Sequence, residues 1–396
     1  MGEGGEGARL VHGALLARVR RHLADGGTLP DPQALSRMVR DLGGVLGRED
    51  LDALAGVVHA EVEGAGPLQI LLDEPGVSDV LVNGAHGVWV DRGAGLERCS
   101  LMLGGEAEVR ALAVRLASAG HQRLDDAVPV VDARLPDGTR LHAVLPPIAD
   151  GGTLISLRVL RRRAFTLEEL VTSGSVAPAV APVLAGLVAS RANLLISGAT
   201  GTGKTTLLSS LLSLVPSSER IVCIEEAGEL APDHPHVVRL LARRANVEGA
   251  GLVDLPELVR HALRMRPDRI VLGECRGAEV REVLTALNTG HEGGCATVHA
   301  NAVEDVPARL EALAALAGMT RDAVAAQVSS AVHAVVHLRR DAGHRHVAEI
   351  GVVRREAGEL HVELALERTG SGAVRPGPGW SRLAERCGQA LVPAGV

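Results

Sequence analysis

The sequence predicts an α/β protein in two parts: a phosphate-loop domain on a mostly parallel sheet, preceded by a smaller α+β domain. Short apolar runs at 193–197, 220–225, 236–240, 269–273 and 294–299 alternate with helical patterns at 254–265, 277–288 and 303–317, the signature of a parallel sheet. A glycine-rich turn at 198–203 joins the first of those strands to a helix reading from Lys204 to Val215. Upstream, over 64–165, the texture changes to short strands and turns around one amphipathic helix at 106–119.

The chain has 396 residues, enough for two domains. Hydrophobic residues make up 46% but aromatics only 1%, with no Tyr, one Phe and two Trp, so Leu, Val, Ile and Ala must build the core. Scarce aromatics argue against sequence-blind stacking on nucleic-acid bases, and a net charge of −7 argues against a bulk electrostatic grip on a polyanion; no strong nucleic-acid signal is present. The five cysteines are scattered without a C-x-x-C pair, which suits single buried thiols in a reducing cytoplasm. The start, MGEGGEGARL, does not read as a signal peptide. The longest apolar stretch, 176–189, is too short to span a bilayer and contains Pro178 and Pro182, so any membrane role is expected to be peripheral.

In order, residues 1–63 read as a helical extension with a disordered start, and 64–165 as the α+β domain. A strand at 77–82, the turn Asn83-Gly84 and a strand at 88–90 read as the start of a β-hairpin, and strands at 131–135, 139–145 and 153–160 follow. Residues 166–182 read as a linker and 183–369 as the phosphate-loop domain, closed by antiparallel strands at 332–338, 346–353 and 359–366. The Gly/Pro-rich 370–396 reads as a flexible tail.

Gly198, Ala199, Thr200, Gly201, Thr202, Gly203, Lys204, Thr205 and Thr206 fit G-x-x-x-x-G-K-[ST]. The glycines let the backbone curl so that its N–H groups point inward, and the helix start adds its positive dipole end. Lys204 would reach the β- and γ-phosphates of ATP and the Thr205 hydroxyl would ligate Mg²⁺. Lys204 is the only lysine; every other member of the 41 Lys and Arg is arginine. The one exception falls where a compact ammonium is wanted in place of a planar fork.

Three later segments bear on hydrolysis. Arg269 to Glu274 is a buried strand with a carboxylate at its end: Glu274 either orients or deprotonates the attacking water, or caps the next helix. Glu225 and Glu226 end another strand: either they hold Mg²⁺ with Thr205 through water, or they belong to a solvated loop. His291 and His299 bracket the strand at 294–299, where an imidazole could position or sense a γ-phosphate. Their spacing with Cys295 fits no common zinc pattern.

The set GATGTGKTT, IEEAGEL, LRMRPDRIVLGECRG and NTGHEGGCATVHAN, in that order, resembles the type II/type IV secretion ATPases, also called traffic ATPases. Within them it is most similar to the tight-adherence (Flp-type) pilus assembly ATPases and their actinobacterial conjugation-associated relatives. Upstream, GPL at 66–68, VSDVLVNG at 77–84, PVVDARLPDGTR at 129–140 and ISLR at 155–158 resemble that subfamily's N-terminal domain, so the match covers about 64–340. The resemblance implies a homo-hexamer of subunits that pair a sheet domain with a RecA-like motor domain, with ATP between them. It implies a cytoplasmic enzyme on the inner face of the membrane, working with a polytopic inner-membrane platform protein. By the same resemblance Glu274 is the catalytic Walker B glutamate, Glu225 and Glu226 the acidic box, and His291 and His299 the histidine box. Arg140 and Arg158 match arginines that reach the γ-phosphate, Arg134 lies near enough to join them, and Arg243 and Arg276 match motif arginines of less settled role. The acidic box departs from the subfamily's usual Glu-Asp, and no four-cysteine zinc insert is present.

Three functions stay open on sequence alone: an ATP-driven motor for pilus assembly or protein secretion, a nucleotide-gated scaffold with little turnover, and a conjugation-associated DNA-transfer ATPase.

Overall fold

In the computed structural model the described residues are 37, 38, 41, 64–93, 95–159, 164–243, 250–341 and 343–388. The extension expected over 1–63 therefore lies almost wholly outside them. The chain divides into two compact units, 1–160 and 161–396.

In the first unit a turn and short helix α1 (Gln69–Leu72) lead into a sheet of six strands among the described residues: β1 (Asp79–Asn83), β2 (Val88–Asp91), β3 (Leu96–Cys99), β4 (Val130–Arg134), β5 (Arg140–Val144) and β6 (Leu154–Arg158). Helix α2 (Glu106–Ala119) follows β3, and the sheet order is β3-β2-β1-β6-β5-β4 with every pairing antiparallel. Alternate residues Val80, Val82, Val88, Val90, Leu141, Ala143, Ile155 and Leu157 are buried together with Val109, Leu112, Ala113, Leu116 and Ala117 of α2. That period of two on the strands, met by an i, i+3, i+4 stripe on the helix, makes a two-layer core.

The second unit carries α3 (Leu167–Thr172), α4 (Ala181–Ala189), β7 (Leu194–Gly198), α5 (Lys204–Leu212), β8 (Ile221–Glu225), β9 (Val237–Leu241), α6 (Leu255–Ala262), β10 (Arg269–Cys275), α7 (Val280–Leu287) and β11 (Cys295–Val298). It continues with α8 (Val306–Leu316), α9 (Arg321–Ala331), β12 (Ala334–Asp341), β13 (His344–Glu356), β14 (Glu359–Arg368), β15 (Val374–Pro376) and α10 (Trp380–Arg386). Among the described residues nine strands form one sheet in the order β15-β14-β13-β12-β7-β11-β10-β8-β9. Leu194, Ile196, Ile221, Cys223 and Val271 pack to one side with α4 and α5, while Leu195, Val222, Ile224, Ile270 and Leu272 pack to the other with α6, α7, α8 and α9. Both faces are covered, which is why these strands read as unbroken apolar runs.

The sheet is mixed. From β12 to β9 it is parallel, whereas β13, β14 and β15 add on antiparallel. Strand β12 departs from the expected antiparallel closure: the crossover through α8 and α9 returns the chain alongside β7, parallel to it, before the hairpin to β13 reverses direction.

The stretches expected as a linker and as a flexible tail are both packed over their described residues. Residues 166–182, expected as a linker, begin with a capping box in which Thr166 Oγ1 accepts the Glu169 N–H and Glu169 returns the favour to the Thr166 N–H. They bury Leu170, Val176, Ala177 and Val180 in the core beside α4. Pro182 sits in the first turn of α4, where its missing N–H costs nothing. In the tail expected over 370–396, β15 pairs with β14 and Leu383 of α10 is buried; residues 389–396 lie outside the described set.

Candidate functional site: a phosphate cradle at the carboxyl edge of the sheet

The parallel register brings the ends of β7, β8, β10 and β11 to one edge of the second sheet, the edge at which open α/β sheets bind ligands. Strand β7 ends at Gly198, whose φ of +150° places it in glycine territory, and a Cβ there would stand 2.6 Å from the Leu338 carbonyl oxygen and 2.7 Å from Thr202 Oγ1. Gly203 (φ +96°) forms the N-cap of α5 in the left-handed region. Thr202 Oγ1 donates to the Ala199 carbonyl at 2.9 Å and ties the turn closed. Lys204 and Thr205 are the first two residues of α5.

The Lys204 ammonium donates to the carbonyls of Gly198 and Ala199, both at 3.0 Å, and lies 3.4 Å from His299 Nδ1. Its pKa is lowered, mainly by burial and further by Arg276, against the pull of Glu274 and Glu229. His299 Nε2 lies 2.5 Å from Glu274 Oε1. Burial and then the Lys204 charge lower the His299 pKa, outweighing Glu274. The ring is therefore neutral at neutral pH, with Nδ1 facing Lys204 and Nε2 facing Glu274. Burial alone would raise the Glu274 pKa; the Arg276 hydrogen bond (2.6 Å to Oε2), the Arg276 charge, His299 and Lys204 outweigh it and hold the carboxylate below its ordinary range. Glu274 falls where β10 slips register against β11 between Leu272 and Cys275, and such a bulge re-aims a side chain.

The two acidic-box residues differ. Glu225 is buried and its Oε1 accepts the N–H groups of Glu229 (2.7 Å) and Leu230 (2.9 Å), so half of the carboxylate shapes the following loop. Its Oε2 is buried without a hydrogen-bond partner, and burial raises its pKa against those two backbone bonds. Glu226 is exposed, 3.5 Å from Arg276.

The structure separates the two histidines. Because β11 is parallel to β7, with Cys295 opposite Leu194 and Val298 opposite Ser197, His299 emerges beside Gly198 whereas His291 precedes the strand at the opposite edge. Four strand residues put about 13 Å between the two ends. His291 Nδ1 lies 3.3 Å from the Ala286 carbonyl oxygen, in a loop whose Gly293 and Gly294 N–H groups donate to Asn193 Oδ1. Within the second unit, then, His299 joins Lys204 and Glu274, and His291 does not.

Arg276 belongs to the cluster, while Arg243 donates to the Gly251 carbonyl at 2.5 Å beyond the edge strand β9. In the first unit the register sets Arg134 opposite Arg140, Arg140 opposite Arg158 and Arg158 opposite Asp79, one row across β4, β5, β6 and β1. Arg158 Nε donates to Asp79 Oδ1 at 3.0 Å. Residues directly opposite share a sheet face, and like charges so placed repel.

Sequence reasoning passed over four residues here. Asn193, fully buried, binds the Gly293–Gly294 loop by Oδ1 and the Ala331 carbonyl by Nδ2 (2.6 Å). His337 of β12 faces Ser197 across the sheet, Nδ1 2.9 Å from Oγ. Arg345 Nε donates to the Gly201 carbonyl at 2.8 Å, and Arg340 flanks the same glycine. The one available signal was His337 interrupting the apolar run 334–338.

The family model described as "Type II/IV secretion system protein" matches residues 61–365. The chain belongs to this family. It is a secretion ATPase, similar to a putative conjugal transfer protein of Mycobacterium tuberculosis (strain ATCC 25618 / H37Rv), 52% identical over 323 residues, 80% of this chain and 92% of the relative. It is also 31% identical to the conjugal transfer protein TrbB of Rhizobium radiobacter (72% of this chain, 85% of the relative) and 28% identical to the type IV secretion system protein VirB11 of Bartonella quintana (72% and 90%). The solved structure of the pilus retraction motor PilT with bound ADP shares the fold at a TM-score of 0.52 and 19% identity, covering 81% of this secretion ATPase and 85% of that chain. No helix among its described residues is long and apolar enough to cross a membrane.

Proposed function

We propose that this secretion ATPase binds MgATP in the cradle 198–205 and hydrolyses it under Glu274, as one subunit of a homo-hexameric ring that drives transport through a polytopic inner-membrane platform. The observation that carries the reading is the chain Lys204–His299–Glu274–Arg276 at the sheet edge. In it a buried ammonium is held by loop carbonyls that a phosphate can replace, one imidazole away from an ionised carboxylate.

The residues fit a magnesium ion. Thr205 at the second position of α5 offers a hydroxyl, and the buried Glu225 Oε2 lacks a partner, a hard-oxygen set that suits Mg²⁺ with retained waters. Thr205 would hold the ion directly, and Glu225 or Glu226 through water; bound, it neutralises charge on the β- and γ-phosphate oxygens. The inward N–H groups of 198–203 hold the phosphates, and Lys204 turns from the Gly198 and Ala199 carbonyls to them. Glu274, with Oε2 fixed by Arg276, orients a water at the γ-phosphorus and accepts its proton as the bond to the β-phosphate oxygen breaks. His299 holds Glu274 in place and couples it to Lys204. The row Arg134, Arg140 and Arg158 is proposed to bind the γ-phosphate, supported by the register that sets the three guanidiniums side by side on one sheet face.

Pilus assembly or protein secretion is the proposed work. Conjugal transfer is the second reading, favoured by the names of the relatives at 52% and 31% identity. The test is steady-state ATPase activity of wild type and Glu274→Gln, with MgATP affinity by calorimetry. Turnover should fall at least about a hundred-fold while affinity stays within a few-fold. Equal turnover in the two would remove Glu274 from the reaction, and no wild-type affinity for MgATP would remove the reading altogether.

A further inference from the structure

The hairpin of β12 and β13 carries a second basic element at the phosphate cradle. Its register sets Arg340 directly opposite Arg345, and Leu338 opposite Val347 one step further down the same face. Leu338 and Val347 are buried. Leu338 Cδ2 would lie 3.9 Å from a Cβ on Gly203, so this face of the hairpin is the one turned to the cradle. Arg345 is exposed, yet its Nε is fixed 2.8 Å from the Gly201 carbonyl oxygen, and its Cδ would lie 3.8 Å from a Cβ on Gly203. Arg340 Nη1 would stand 3.9 Å from a Cβ on Gly201.

Two guanidiniums paired across a hairpin repel each other. The neighbouring arginine on the other face shows what relief looks like: Arg339 is paired with Glu349 at 2.8 Å. Arg340 makes no hydrogen bond or ion pair among the described residues, and Arg345 meets a carbonyl but no carboxylate among them. A like-charged pair with no carboxylate partner among the described residues, beside the glycine turn that joins β7 to α5, is a pair that an anion would stabilise.

We propose that Arg340 and Arg345 bind the polyphosphate tail of the nucleotide seated in the cradle, Arg345 exchanging the Gly201 carbonyl for a phosphate oxygen. This rests on the cradle holding a nucleotide, as proposed above, and adds a contact from outside the phosphate loop. It also makes the hairpin responsive to occupancy: an empty cradle leaves Arg345 on the loop's own backbone, and a filled one draws both guanidiniums onto the ligand.

Arg340→Ala is the decisive variant, because it breaks no contact present in the described structure and thermal melting should be unchanged. Calorimetry with ATP and with inorganic tripolyphosphate, in the full chain, should show each ligand bound about ten-fold more weakly by Arg340→Ala and by Arg345→Ala. Arg345→Lys should recover part of the loss, and the difference from wild type should shrink as salt is raised. Unchanged affinity of Arg340→Ala for both ligands overturns the proposal while leaving the cradle's own function intact. Loss for ATP but not for tripolyphosphate also overturns it, since the contact would then be to base or ribose. Wild-type protein that binds neither ligand would sink this inference together with the nucleotide reading.

Discussion

Acid should destabilise this protein through His337, and by an amount that can be worked out. The residue is 1% exposed on β12, with Nδ1 2.9 Å from Ser197 Oγ at the last turn of strand before the cradle. Burial first, and the Arg339 charge second, push its pKa down from 6.5 to about 4, against a backbone hydrogen bond involving Asn301 and the charges of Glu304 and Asp305. In the unfolded chain the ring takes a proton near pH 6.5, whereas in the folded chain it stays neutral until about pH 4. Above pH 6.5 neither state is charged and nothing is lost. As pH falls through 6.5 the unfolded state alone gains protons, so stability drops by about 1.4 kcal/mol per unit. That amounts to about 2 kcal/mol between pH 7 and 5, and on the order of 3 kcal/mol by pH 4. Urea unfolding of wild type and His337→Gln at pH 7 and pH 5 isolates the effect. Whatever the substitution costs at pH 7, and however the other buried acids and histidines titrate, the variant's loss on acidification should be smaller by about 2 kcal/mol. Losses that agree within about 0.5 kcal/mol would refute the reasoning, and with it the picture of a neutral imidazole packed beneath the loop.

Asn193→Ala should cost on the order of 4 kcal/mol in denaturant unfolding at pH 7, because it strands the Gly293 and Gly294 N–H groups and the Ala331 carbonyl in the interior at about 1–3 kcal/mol each. A cost below about 1 kcal/mol would mean that water satisfies those groups. The pH profile of kcat/KM for ATP should have its acid limb below 6.5, since both His299 and Glu274 are held below their ordinary values, and its alkaline limb below 10.5, since burial lowers Lys204. An acid limb at or above 6.5 would show that the group that must lose its proton is not held below its ordinary value, and activity lost as pH rises through the histidine range would show that His299 works as a cation.

The fold was legible where burial is symmetric. β7, β8, β10 and β11 are covered on both faces, so each wrote an apolar run into the sequence, and α2 showed its stripe and its bounds. Reading failed where glycine and proline were taken at face value. Pro182 starts a helix, and the Gly/Pro-rich 370–388 still pins Leu383 against the core. In the candidate site, motifs pointed to Glu274 and His299 at the carboxyl ends of their strands and to Lys204 at the start of the helix after β7. His291 shares a motif with His299, but nothing in their spacing tells which end of a parallel strand each occupies. Arg340 and Arg345 were invisible for another reason: in a chain whose basic residues are almost all arginine, one more arginine carries no signal until the register pairs it.

That arginine background sharpens the meaning of the single lysine. Where this chain needs a fixed charge it sets guanidiniums opposite one another, in the row Arg134–Arg140–Arg158 and again in Arg340–Arg345. A guanidinium stays charged in any protein environment and spreads its donors over a planar fork. The position at the start of α5 asks for something different. It is 8% exposed, and its ammonium must reach two successive carbonyls, Gly198 and Ala199, and a neutral imidazole from one point. Three donors on a single rotating nitrogen can do that and can then turn together onto a phosphate; a rigid fork cannot. Burial also lowers the affinity of that nitrogen for its proton, so the charge is strongest where an anion supplies what water no longer does.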